Sequence, residues 1–456
     1  LKDLSHIKAV YFLGIGGIGM SALARYFHLR GLPVAGYDRT PSALTQELEH
    51  EGMSIHYQDD ITAIPMSIRS LPPELLLVVL TPAVSSDHTE LLYFLDQGYS
   101  VFKRSEVLGL ITRQTSTIAV AGTHGKTTTS AMVTHLLEAT GKQPTAFVGG
   151  IMTNYDTNFL PGVGNLTVVE ADEFDRSFLR LSPDISIITS VDPDHLDIYS
   201  DASSFTDGFR LFAKCLKSEG KLIVHESVAS EFAGISRISY GFGDEADVQI
   251  YDIRVGNGTF LFSVKGLYSQ ADFVLHIPGR HNVLNAVAAV TACWLSGLPP
   301  EDLRLALASF RGVKRRFEKI AEHNGKVFID DYAHHPSELE ACISAARELY
   351  PDKRIFGAFQ PHLFTRTRDF SAGFSAALNK LDYFYLLPIY PARELPIPGV
   401  SSQMLLADIT APGRLINKED LADAVRKDLN RLDVFLTLGA GDIDREVERI
   451  KKEFEA

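Results

Sequence analysis

Eight consecutive residues, Gly122-Thr123-His124-Gly125-Lys126-Thr127-Thr128-Thr129, combine two glycines, an ammonium and a run of hydroxyls. They lie between an apolar β-type run, Ser116 to Ala121, and a stretch of helical spacing reaching about Ala139. Glycines at a strand-to-helix turn let backbone N–H groups face inward and cradle phosphate oxygens. The helix N-terminus adds a favourable dipole, Lys126 offsets the β/γ charge, and Thr127 can ligate Mg²⁺. The usual phosphate loop carries a glycine where Val120 stands, so this is a shortened form. An incidental glycine-rich turn would not need Lys-Thr in that place. The nucleotide expected at this loop is ATP.

Downstream, the apolar run Thr167-Val168-Val169 leads into Glu170-Ala171-Asp172-Glu173-Phe174-Asp175. Four carboxylates at a strand's end repel one another unless cations or donors compensate. Mg²⁺ takes hard oxygen ligands and keeps several waters, so one or two of these carboxylates with Thr127 and phosphate oxygens would complete a site. A further apolar run ends in Asp192-Pro193-Asp194-His195-Leu196-Asp197. Either acidic run alone reads as a solvated loop, and a histidine among aspartates is often only hydrogen-bonded. Convergence on one edge of a parallel sheet, where ligands bind, favours a metal–phosphate centre.

A second glycine run, Gly14-Ile15-Gly16-Gly17-Ile18-Gly19, follows the apolar stretch Ala9 to Leu13, and Asp38 stands about where an acid often meets a ribose. A dinucleotide and a nucleotide-diphosphate sugar present the same charge and shape to such a turn. The fingerprint leaves both open, although the separate ATP loop weighs against hydride transfer.

The elements that must position these groups alternate short β-type runs with amphipathic helices, the pattern of parallel sheets with crossover helices. Strands are expected at 9–13, 34–37 and 75–80, then at 116–121, 166–169 and 185–190, and finally at 326–330, 354–359, 383–387 and 434–438. A β-rich insertion at 248–277 turns at Gly256-Asn257-Gly258. The reading is α/β with three domains: residues 1–106 a Rossmann-like unit, 107–312 a central phosphate-loop unit with the insertion, and 313–456 a second Rossmann-like unit. The 456 residues are too many for one core. A net charge of −13 argues against general affinity for nucleic acid or anionic membranes. No apolar run reaches the ~18 residues of a membrane span. Cys215, Cys293 and Cys342 are widely spaced and read as reduced thiols. A cytoplasmic location without membrane insertion is expected.

In order along the chain, these motifs resemble those of the Mur ligase family over essentially the whole length. They are joined by Gly279-Arg280-His281-Asn282-Val283-Leu284-Asn285, Arg315-Arg316-Phe317, Asp330-Asp331-Tyr332-Ala333-His334-His335-Pro336 and Gln360-Pro361-His362 to Arg366. The resemblance implies an ATP-dependent ligase of cell-wall precursor synthesis, a monomer or weak homodimer, that uses Mg²⁺, with two ions expected. The match is most specific to the activity that joins L-alanine to UDP-N-acetylmuramate through an acyl phosphate. It implies that Gly122 to Thr128 hold ATP through Lys126, that Asn285 reads adenine and that Arg316 contacts phosphate. Thr127 and Glu173 would bind the first metal and His195 the second. Gly14, Gly16, Gly17, Gly19, Asp38 and Thr81 would grip the UDP-sugar, while Tyr332, His334, His362 and Arg366 would take the amino acid. His195, His334 and His362 remain open as the base.

Two positions depart from the family pattern. Leu363 stands where many relatives carry Arg, and Arg210 occupies the neighbourhood of a lysine that several sister ligases carbamylate. Within the family the alternative is the recycling ligase that joins the same nucleotide sugar to a tripeptide. A dehydrogenase or a simple ATPase would each rest on one glycine run alone.

Overall fold

The computed structural model describes residues 4–192, 202–256, 258–392 and 394–455. The chain divides into two compact units. Leu1–Tyr251, Val264–Gln270 and Asn285–Ser309 form the first; Asp252–Ser263, Ala271–Leu284 and Phe310–Ala456 form the second.

The first sheet is wholly parallel. Ala9–Leu13 lies between Val34–Tyr37 and Leu76–Leu80, with Ser54–His56 and Val101–Lys103 at the edges. Its central strand is buried on both faces, as a parallel strand between helices must be. The register pairs Leu13 with both Tyr37 and Leu80, and Leu80 with Lys103. Consequently Asp38, Gly14, Thr81 and Arg104 each stand just beyond a strand's carboxyl end, in four neighbouring strands. That edge, where strand order reverses, is where open α/β sheets bind ligands.

In the second sheet Ser116–Ala121 runs between Ile185–Ile188 and Leu166–Glu170. Ala121 pairs with Ile188, and Val120 with Glu170. The phosphate loop, the acidic run and the segment entering Asp192 therefore leave the sheet at one level. Lys221–His225 and Arg237–Gly241 extend the sheet in parallel, and Thr145–Met152 and Thr157–Leu160 close its other side. The insertion forms strands Val248–Gly256, Thr259–Gly266 and Gln270–Leu275.

The third sheet has five parallel strands, Lys326–Asp331, Val434–Leu438, Ile355–Phe359, Tyr383–Leu386 and Gly413–Leu415, and an antiparallel edge, Glu318–His323. Leu438 pairs with both Asp331 and Phe359, so the segments beginning at Tyr332 and Gln360 emerge side by side. All three cysteines are unbridged, and Cys293 and Cys342 are buried.

Candidate active site

Helix Lys126–Ala139 starts directly from the phosphate loop, with Gly125 as its N-cap at φ 82°. That left-handed conformation is open to glycine at little cost, and a Cβ there would stand 2.5 Å from Asn285 Oδ1. The loop is braced from the neighbouring strand end. Thr123 N–H donates to Ser190 O at 3.2 Å, His124 N–H donates to Ser190 Oγ at 3.0 Å, and the Thr123 hydroxyl donates to Asp192 O at 2.8 Å. His124 Nε2 also lies 3.6 Å from Asp192. Lys126 turns back into the loop. Its ammonium donates to Gly122 O at 2.7 Å, Thr123 O at 3.3 Å and Glu173 Oε1 at 2.8 Å. Burial pulls the ammonium's pKa down, but the charges of Glu173, Asp172 and Glu170 carry it above the ordinary lysine value. Glu173 is only 1% exposed, and burial raises its carboxyl against the pull of Lys126.

Glu170, the last residue of its strand, takes a different partner. It accepts from the Thr127 hydroxyl at 3.0 Å and from Gly149 N–H at 2.8 Å. A hydroxyl and a carboxylate at a phosphate loop are hard oxygen donors of the kind Mg²⁺ selects. From these groups a cavity of about 300 Å³ extends to the first glycine run, lined by Gly17, Gly19, Thr81, Arg104, Glu170 and Asp172 among others. On the far side Asp38 fastens the glycine turn, accepting from Gly16 N–H at 2.7 Å and from Thr40 N–H at 3.2 Å.

The second unit gathers its own set of side chains. Tyr332 lies beneath the Arg315 and Arg316 guanidiniums, 5.0 and 5.1 Å from its ring centre. His334 Nδ1 faces two acceptors, Tyr332 O at 3.0 Å and Glu338 Oε2 at 3.1 Å. The proton therefore belongs on Nδ1, leaving Nε2 as an acceptor. Burial lowers the His334 pKa, so the ring is neutral near pH 7. The His362 ring lies 5.9 Å from that of His334, stacks on Tyr390, and has Nδ1 3.4 Å from Arg366 Nη1. Buried Asp331 is pushed up to about 6, although the Arg316 charge opposes the rise. It anchors the turns by accepting from Phe317 N–H at 2.6 Å and Ala333 N–H at 2.7 Å.

Three family models match in sequence: the Mur ligase family catalytic domain over residues 9–116, the Mur ligase middle domain over 120–293, and the Mur ligase glutamate ligase domain over 315–441. The UDP-N-acetylmuramate–L-alanine ligases of Christiangramia forsetii and Porphyromonas gingivalis are 46% and 48% identical to this chain. The first alignment covers 99% of both chains; the second covers 98% of this chain and 99% of the relative. The chain belongs to the Mur ligase family. Among solved structures, the UDP-N-acetylmuramate–alanine ligase of Thermotoga maritima superposes with a TM-score of 0.79 at 27% identity, over 98% of this chain and 99% of that one. A murein peptide ligase from Psychrobacter arcticus shares the fold, with a TM-score of 0.69 at 22% identity over 98% of both chains.

For a Mur ligase, the expected residues fall into place unevenly. Lys126 and the loop residues come together with the carboxylates, and Tyr332, His334, His362 and Arg366 form one cluster. Thr127 and Glu173, expected together at the first metal, have different hydrogen-bond partners. The Thr127 hydroxyl meets Glu170, while Glu173 is engaged by Lys126. Asp38 is tied to the Gly16 backbone, and Asn285 packs against Gly125 at the phosphate loop, which gives each a structural task beside the expected one. Arg316 reaches Glu338 at 4.0 Å. His195 lies outside the described residues. Among the described residues no three His, Cys, Asp or Glu side chains gather as a metal-holding group. Arg210 is held by Asp207 and Glu231, both at 2.6 Å, so it pins its own helix. Arg104 lines the cavity without a sequence signal, since a lone arginine after a short edge strand carries no motif.

Proposed function

We propose that this Mur ligase forms an amide between the lactyl carboxylate of UDP-N-acetylmuramate and the amine of L-alanine, converting ATP to ADP and phosphate. The observation that carries the reading is the cavity that runs from the first glycine turn to Glu170, beside the Lys126 loop. It joins a nucleotide-sugar site to a phosphate-transfer site within one unit. Alanine is favoured over a tripeptide by the full-length relatives named for that amino acid.

A carboxylate resists amine attack because of its charge and poor leaving group. Phosphorylation by the γ-phosphoryl group of ATP removes both obstacles, and the alanine amine then displaces phosphate through a tetrahedral intermediate. Lys126, at the helix N-terminus, offsets the repulsion between the carboxylate and the triphosphate. Thr127 and Glu170 would hold Mg²⁺, which when bound supplies positive charge to the phosphate oxygens. His334, neutral and with Nε2 free to accept, is suited to take the proton from the alanine ammonium. Arg366, beside His362, offers a guanidinium fork for the alanine carboxylate. Leu363 at the neighbouring position leaves this fork without a second arginine.

In this reading residues 1–106, 107–312 and 313–456 serve the nucleotide sugar, ATP and the amino acid respectively. The reaction takes place in the cytoplasm, where ATP is available; among the described residues no helix is long and apolar enough to cross a membrane. The test is a substrate panel: purified chain, MgATP and UDP-N-acetylmuramate with each amino acid and with the murein tripeptide. ADP formation is expected with L-alanine. Turnover with the tripeptide alone, or ATP hydrolysis indifferent to any amine, would overturn the assignment.

A further inference from the structure

Arg104 begins the helix Arg104–Gln114 directly after the edge strand Val101–Lys103, in the same row of strand ends as Thr81, Gly14 and Asp38. Among the described residues it is the single basic one lining the 300 Å³ cavity, whose wall also carries Glu170 and Asp172. A doubly charged ligand entering between two carboxylates is repelled unless a cation accompanies it.

Two further contacts define the position of the guanidinium. A Cβ on Gly19 would stand 2.6 Å from Arg104 Nη1 and 3.0 Å from Cζ. Gly19 is not among the residues with positive φ, so its lack of a side chain answers a demand for space and not for conformation. In dinucleotide folds the third glycine of the fingerprint lets helix and strand pack closely; here the atoms that need the room are a guanidinium's. The other contact is loose: Arg104 Nη2 lies 3.9 Å from Asp172 Oδ2, with 27% and 41% of the two side chains exposed. A pair so long and so exposed contributes little. A phosphate offering two parallel hydrogen bonds would displace it readily.

We propose that Arg104 is the guanidinium that holds the diphosphate of the nucleotide-sugar substrate, and that Gly19 is glycine to leave it room. The proposal rests on the nucleotide-sugar reading given above. Binding of UDP, UDP-N-acetylglucosamine and UDP-N-acetylmuramate to the full chain is measured by calorimetry, with the Michaelis constants for ATP and L-alanine alongside. Arg104→Met weakens all three uridine ligands by roughly ten- to hundredfold, the range of a lost charge-assisted hydrogen bond, while the constants for ATP and alanine stay near wild type. Gly19→Ala gives a loss of the same kind, since the methyl group evicts the guanidinium. The double variant is no weaker than Arg104→Met, because both changes remove one interaction. Thermal melts of each variant confirm folding, and Arg104→Lys restores part of the affinity. Unchanged UDP binding in Arg104→Met would overturn the proposal. So would a loss confined to UDP-N-acetylmuramate, which would assign Arg104 to the lactyl carboxylate. If the wild type binds no uridine ligand, it is the parent reading that fails.

Discussion

Replacing Lys126 with Met keeps the length and apolar stem of the side chain and removes its charge. In the loop the ammonium's three N–H bonds go to Gly122 O, Thr123 O and Glu173 Oε1. An ATP phosphate that engages Lys126 must therefore take the place of a carboxylate held at 2.8 Å. With an effective dielectric of ~20, an ion contact near 3 Å amounts to about 6 kcal/mol on either side of that exchange. The two nearly cancel, so Lys126 adds little to ground-state affinity, and Lys126→Met raises the ATP dissociation constant by about tenfold at most. The transition state differs, because charge moves onto the β/γ-bridging oxygen with no matching gain for Glu173. Loss of a fixed cation there costs about 3–4 kcal/mol, or roughly 10²–10³-fold in kcat. Glu173, whose carboxyl burial already raises, takes up a proton when its cation is gone, which limits the damage to the loop. A coupled ADP assay with UDP-N-acetylmuramate and L-alanine gives kcat, and calorimetry gives the affinities for ATP and UDP-N-acetylmuramate. An ATP affinity that falls as far as kcat would refute the exchange, as would turnover within tenfold of wild type.

Two other outcomes follow from the packing. Glu170→Gln keeps an acceptor for Thr127 but removes the charge, and should raise the Mg²⁺ concentration needed for half-maximal activity about tenfold, whereas Glu173→Gln should leave it nearly unchanged; a metal titration that reversed this order would restore the original assignment to Glu173. On the helix Thr89–Asp96, Glu90 is fully buried, accepts from Tyr11 OH at 2.6 Å and lies 3.4 Å from His56 Nε2, and burial raises its carboxyl to about 7. A raised folded-state pKa means stability that is fully present below the unfolded value near 4.5 and lost as pH rises through 7. Glu90→Gln should therefore gain on wild type between pH 5 and pH 8, by up to about 3 kcal/mol; parallel urea-unfolding curves showing no change in that difference would contradict the burial argument.

Most of the architecture was legible in the sequence because the central strands of parallel sheets are apolar on both faces. Ala9–Leu13, Ser116–Ala121, Leu166–Glu170 and Val434–Leu438 stand out as unbroken runs whatever they pair with. Lys221–His225 and Arg237–Gly241 are interior five-residue strands that the apolar pattern did not reveal, and the others that it did not reveal are short, at an edge or irregular. Ser54–His56 and Gly413–Leu415 have three residues each, Glu318–His323 alternates along an antiparallel edge, and Thr145–Met152 is interrupted by Gly149-Gly150. The phosphate loop was equally legible, since its chemistry is contiguous: consecutive backbone amides, one lysine and one threonine suffice.

Other assignments had no contiguous signal. Glu170 and Glu173 are three residues apart in one acidic run, and composition cannot rank them. The pairing of Val120 with Glu170 sets the level at which Glu170 leaves the sheet, and its side chain meets Thr127. Glu173, beyond the strand at the start of the 3₁₀ turn Phe174–Arg180, meets Lys126 instead. Arg104 reached the cavity only because parallel register puts four strand ends in one row. The sequence by itself determined which peptide segments carry the chemistry expected of phosphate binding and which apolar runs form the sheets, because those properties reside in neighbouring residues. Tertiary structure decided which side chain meets which, because strand register and turn geometry arise from pairings between residues far apart in the chain.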